Sequence, residues 1–146
     1  MDITKFASND NVTVTKNDDG SVTLDWAEGA ADWSDIKLLF DVPKDLSGYT
    51  KYVVKTKGAA GEAIFCANIL DAEKKSEWNA PASVGLRYGF PTNTELTLDE
   101  LKNADYNGNY EGGTDGDFTN VLGISFNKNN QAAAVSVTIT EIAFIK

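Results

Sequence analysis

The chain contains no histidine, a single cysteine, a single methionine and three prolines. Without histidine, the Ser-His-Asp and Cys-His arrangements and the common zinc sites are absent. A lone Cys66 cannot close an intrachain disulfide. It sits in the apolar run from Ala63 to Leu70, a setting that suits a small buried hydrophobe better than a reactive thiol. Positive charge is also scarce: 13 basic residues stand against 22 acidic ones, a formal charge of −9. That balance argues against a nucleic acid partner and against an anionic membrane surface. No apolar stretch approaches the ~20 residues that a membrane span needs. The first ten residues, MDITKFASND, lack the basic-then-apolar order of an export signal. The chain is therefore expected to be soluble, and any export signal is expected to belong to a longer parent.

What the chain has in quantity is alternation. With 146 residues it is expected to form one domain, 1–146, large enough to bury roughly 70% of its unfolded surface without staples. Asn11 to Lys16 and Ser21 to Trp26 alternate apolar and polar residues around Asn17-Asp18-Asp19-Gly20, a turn that tolerates positive φ, and so predict a hairpin. Val12, Val14, Val22, Leu24 and Trp26 share one face, which assigns Trp26 to the core. Ile36, Leu38, Phe40 and Val42 share a face of the next strand. Pro43 to Gly48 is turn chemistry leading into a strand that runs from Tyr49 to Lys57, where Tyr49 and Tyr52 have opposite phase. Ala63 to Asp71 and Ser83 to Phe90 read as strands separated by a polar loop. Val121 to Phe126 and Val135 to Ile145 close the chain. In the last of these, period two puts Val135, Val137, Ile139, Glu141, Ala143 and Ile145 on one face, so Glu141 stands as a carboxylate in an apolar row.

One short helix is expected, opened by the capping box Thr97-Leu98-Asp99-Glu100 and ending near Ala104. The stretch from Asp105 to Asp117 has no periodicity and reads as a long surface loop carrying Tyr106 and Tyr110. Roughly eight to ten short strands with frequent turns predict an all-β sandwich or barrel.

The sequence also resembles a known class. The order Asp45-Leu46-Ser47-Gly48-Tyr49 before a strand, Leu96-Thr97-Leu98 before a helical turn, Phe118 to Phe126 as a late strand, and Val137 to Phe144 as the last is similar to jelly-roll carbohydrate-binding modules of the galactose-binding-domain-like class, found beside glycoside hydrolases. The resemblance covers the chain from about Trp33 onward and implies a β-sandwich jelly roll with one short helix. It further implies a non-catalytic module of a larger secreted or cell-surface enzyme, monomeric within it, that binds plant cell-wall β-glycans such as β-glucan, xyloglucan or related hemicellulose in an open cleft.

Sugar rings stack their C–H faces on aromatic side chains while their hydroxyls need amide, carboxylate or guanidinium partners. On that basis Trp33, Trp78, Tyr88, Tyr106 and Tyr110 are candidates for stacking, and Asn68, Asn79 and Arg87 for hydroxyl contacts. The plainer readings stand beside these. Tyr88 has the phase of Val84 and Leu86 and suits the core, Tyr106 and Tyr110 could anchor their own loop, and Asn68 and Arg87 could pair with each other or with a carboxylate. Many members of the resembled class hold a structural Ca²⁺ near the chain ends. Glu141 falls at the acidic position of their closing strand, with Asp18, Asp19 or Asp25 as upstream oxygen donors, and a Lys partner for Glu141 is the alternative. No pair of carboxylates is marked out by spacing as a glycosidase pair, so catalysis is not expected. The competing function is a spacer or protein-docking sandwich that binds no sugar.

Overall fold

The computed structural model describes residues 5–8, 11–30, 35–57, 64–75, 81–87, 92–97, 118–128 and 134–146. Residues 5–8, 35, 64–75, 81–87 and 128 are described by backbone and pairing alone. The described residues contain ten strands and no helix. These are β1 (Lys5–Ser8), β2 (Val12–Lys16), β3 (Val22–Trp26), β4 (Asp35–Lys44), β5 (Lys51–Lys57), β6 (Ile64–Lys75), β7 (Pro81–Arg87), β8 (Glu95–Thr97), β9 (Val121–Lys128) and β10 (Val135–Ile145). Of the expected helix, Thr97 is the last residue of β8 and the remainder lies outside the described residues.

The strands form two five-stranded sheets, sheet I in the order β1-β4-β9-β6-β7 and sheet II in the order β2-β3-β10-β5-β8. Every pairing is antiparallel. Strands β3 to β10 supply the sets 3-10-5-8 and 4-9-6-7, so successive strands, the β6–β7 hairpin excepted, cross between sheets in the double Greek-key pattern of a jelly roll. Strands β1 and β2 extend one edge of each sheet. A single apolar cluster fills the space between, with Ile36, Leu38, Ile124 and Phe126 from sheet I packed among Leu24, Trp26, Tyr52, Val137 and Ile139 from sheet II. This is the expected all-β sandwich, with Trp26 in its core at 1% exposure.

The hairpin between β2 and β3 forms where the turn residues demand it. Gly20 takes a φ of 82°, its N–H donates to the Asn17 carbonyl at 3.0 Å, and the Asn17 N–H donates to Ser21 O at 2.9 Å. The Pro43–Gly48 turn is likewise pinned. Asp45 Oδ1 accepts from the Ser47 N–H at 2.9 Å and from its hydroxyl at 2.6 Å, while Leu46 is buried in the core.

Two expected phases are corrected. In β10, pairing with β5 runs Ile139 opposite Thr56 and then Glu141 opposite Lys55, so Thr140 is an extra residue in a bulge. The bulge resets the alternation: Val135, Val137, Ile139 and Ile142 are buried, whereas Thr140 and Glu141 are both exposed. Glu141 therefore leaves the apolar row. In β4, pairing with β9 passes from Leu39 opposite Gly123 to Lys44 opposite Val121, so the residues between are looped out of register. Val42 does not join Ile36, Leu38 and Phe40 inside and is 69% exposed. Strand β6 also continues past Asp71 to Lys75, into residues read from sequence as loop.

Candidate functional site

The outer face of sheet I is set by register. Lys37 stands opposite Ser125, Ser125 opposite Asn68, and Asn68 opposite Gly85. In the next row on that face, Asn127 stands opposite Cys66 and Cys66 opposite Arg87. Side-chain alternation on β9 puts Ile124 and Phe126 in the core, so Gly123, Ser125 and Asn127 belong to the face away from it. The central strand thus carries its smallest residues in the middle of this face, Gly123 and Ser125, both of them buried. Gly123 is required there. A Cβ at this position meets the Leu38 carbonyl oxygen and comes within 2.9 Å of Leu39 Cα, both backbone atoms of β4.

The register brings Asn68 and Arg87 to neighbouring rows of one face. Cys66 falls between Asn127 and Arg87 in the same row. Trp33, Trp78, Asn79, Tyr88, Tyr106 and Tyr110 lie outside the described residues.

The outer face of sheet II has a different character. The lysines of β5 each pair with a carboxylate from a different neighbour: Lys51 with Glu95 at 2.8 Å, Lys55 with Glu141 at 2.6 Å and Lys57 with Asp19 at 2.9 Å. The Ser21 hydroxyl, then the Lys57 ammonium and the Ser21 N–H, hold the Asp19 carboxyl well below its ordinary value. The Lys51 hydrogen bond lowers Glu95, and Glu95 in turn raises Lys51. Glu141 and Asp25 are not brought together. Glu141 faces Lys55, whereas Asp25 pairs in register with Ser136. Five strand positions separate Ser136 from Glu141, roughly 16 Å at the usual rise per residue. Among the described residues no three His, Cys, Asp or Glu side chains gather as metal ligands.

A further feature had no signature in the linear pattern. Where the β4–β5 turn meets the end of β10, an open pocket of about 270 Å³ has Phe40, Leu46 and Ile142 at its base, Tyr49 and Phe144 as walls and Lys44 at its rim. The Tyr49 and Phe144 rings meet edge to face, 6.3 Å apart at 76°. Behind Phe144 lies the fully buried Tyr52 ring at 5.2 Å. Burial pushes the Tyr52 phenol far up, and among the described residues its hydroxyl has no hydrogen-bond partner. Tyr49 and Phe144 are almost a hundred positions apart, so local periodicity carries no hint that they meet.

No protein-family model matches the chain, and no curated protein matches it significantly. Solved structures do. The structure of PfGH50B aligns with 97% of this chain and 22% of its own at 10% identity, with a TM-score of 0.62. An exo-beta-agarase aligns with 97% of this chain and 23% of its own at 11% identity, with a TM-score of 0.54. At such identities the likeness is one of fold. The chain spans less than a quarter of the length of either protein.

Proposed function

We propose that this jelly roll is a non-catalytic carbohydrate-binding module that holds a β-linked polysaccharide along the outer face of sheet I. The observation that carries the reading is the register of that face, where Lys37, Ser125 and Asn68 share one row and Asn127 and Arg87 share the next. Amide, hydroxyl and cationic groups in two adjacent rows suit a ligand rich in hydroxyls, and Trp33, Trp78, Tyr88, Tyr106, Tyr110 and Asn79, all outside the described residues, are assigned to stacking and further polar contacts in this reading. The fold shared with an exo-beta-agarase over less than a quarter of that chain supports a module within a longer, glycan-active protein, which this reading takes to be a secreted enzyme that carries the module as a monomer. A binding rather than a catalytic role is supported by the engagement of Asp19, Glu95 and Glu141 with lysines.

Affinity gel electrophoresis tests this directly. Gels containing agarose, barley β-glucan, xyloglucan, xylan or galactomannan are expected to retard the protein in at least one case, and Trp33→Ala or Trp78→Ala should abolish the retardation without changing the thermal midpoint. Migration unaffected by every polysaccharide overturns the proposal. A spacer or docking domain is the second reading. It is favoured by the exposure, among large hydrophobic side chains of the described residues, of Val42 rather than any aromatic ring.

A further inference from the structure

The pocket between the β4–β5 turn and the end of β10 lies apart from the face of sheet I assigned above to polysaccharide. Its base is apolar and buried, with Phe40, Leu46 and Ile142 exposed by 8%, 4% and 3%. Its walls, Tyr49 and Phe144, are half-exposed aromatic rings held at a fixed edge-to-face angle. The backbone around them is tied down: the Leu46 N–H donates to Phe118 O at 2.7 Å, the Tyr49 N–H to Leu46 O at 3.0 Å and the Thr50 N–H to Ile145 O at 2.8 Å. At about 270 Å³ the space falls just below the range typical of drug-sized ligands, so it suits a single ring.

Charge narrows the ligand. This is an acidic chain, with 22 carboxylate residues against 13 basic ones, and the lysines of β5 are all paired with carboxylates. Lys44 and Lys146 depart from that pattern. Lys44 Nζ lies 4.6 Å over the Phe40 ring and Lys146 Nζ 5.4 Å over the Tyr49 ring, and among the described residues neither has a carboxylate partner. Both ammonium groups are thereby held on the rings of the pocket with hydrogen-bonding capacity to spare.

We infer that this pocket binds a sugar ring bearing an acid group, a carboxylate or a sulfate, with the ring against Tyr49 and Phe144 and the acid group on Lys44 and Lys146. The choice of a sugar rests on the glycan-binding reading above. The need for one ring and one anion rests on the pocket alone.

The test is an NMR titration of the ¹⁵N-labelled protein at low salt with three probes: an oligogalacturonate, a sulfated galactan oligosaccharide and a neutral agaro-oligosaccharide. One or both anionic probes are expected to shift the amides of Tyr49, Ala143 and Phe144, the responding probe identifying the acid group, while the neutral probe leaves them in place. Lys44→Gln should weaken that binding roughly tenfold, the worth of one charge-assisted hydrogen bond. Tyr49→Ala should remove it, and Tyr49→Phe, which keeps the ring, should retain it. The inference is overturned if these amides stay still with both anionic probes at millimolar concentration, or if the neutral probe binds the pocket equally well. Pocket shifts without retardation in any polysaccharide gel sink the sheet I reading alone, and retardation without pocket shifts sinks this one alone.

Discussion

Asp19 accepts three hydrogen bonds, from the Ser21 hydroxyl at 2.5 Å, the Ser21 N–H at 3.0 Å and Lys57 Nζ at 2.9 Å. Its carboxyl is held below the ordinary 3.8 by these donors, and Glu95 is held below 4.5 by Lys51. A carboxylate with a depressed folded-state pKa stabilises the fold above its unfolded value, and that contribution disappears as pH falls through the folded value. The urea midpoint is therefore expected to drop as the solution is acidified below about pH 4.5, and Asp19→Asn should flatten the lower part of that drop. A midpoint that does not move on acidification contradicts the assignment. Among the described residues Glu141 makes one such contact, to Lys55, with both side chains about half exposed. Exposed ion pairs contribute little, so Glu141→Gln should cost about 0.2–1 kcal/mol in urea unfolding. The same difference should be found with EDTA or with added calcium, because Asp25 pairs with the Ser136 end of β10.

Within the strands, two local irregularities decide what faces the core. The extra residue Thr140, whose hydroxyl donates to Lys55 O at 3.2 Å, turns Glu141 outward and returns Ile142 to the interior. Deleting Thr140 leaves Ile139 opposite Thr56 and Glu141 opposite Lys55, with Ile142 still inward, so the deletion variant is expected to retain a cooperative thermal transition. Loss of that transition contradicts the bulge account. Gly123 is less forgiving, because a methyl group there meets β4 backbone rather than a movable side chain. Gly123→Ala should cost about 1–3 kcal/mol by urea denaturation. These same irregularities mark the limit of what the sequence discloses. Val22, Leu24, Trp26, Ile36 and Leu38 were legible as core because regular alternation equates phase with facing. Val42 and Glu141 were not, because a bulge inserts a residue without altering the letters around it. The short strands β1 and β8 have too few residues for a period to register. For the site, Asn68 and Arg87 stood out as polar residues within strands, but their place beside Lys37, Ser125 and Asn127 follows only from register.

At the scale of the whole molecule, the jelly roll gives its two sheets unlike outer surfaces. Sheet II interleaves acid and base, each lysine of β5 facing a carboxylate from β8, β10 or the β2–β3 turn. A glycan laid on that surface would have to displace ion pairs already satisfied by one another and by water, with little gained in return. Sheet I carries amide, hydroxyl and cationic groups in two adjacent rows across its central strand, the groups on which the proposed polysaccharide binding rests. Because the two faces are separated by the apolar core, substitutions on one should not be felt as binding changes on the other. Asn127→Ala and Lys37→Ala are expected to weaken retardation in whichever polysaccharide gel slows the parent protein, whereas Lys55→Ala and Glu141→Gln should migrate as the parent does. The opposite pattern would transfer the binding surface to sheet II, and equal losses from both faces would point to a general change in stability, which thermal melts of the same four variants would reveal.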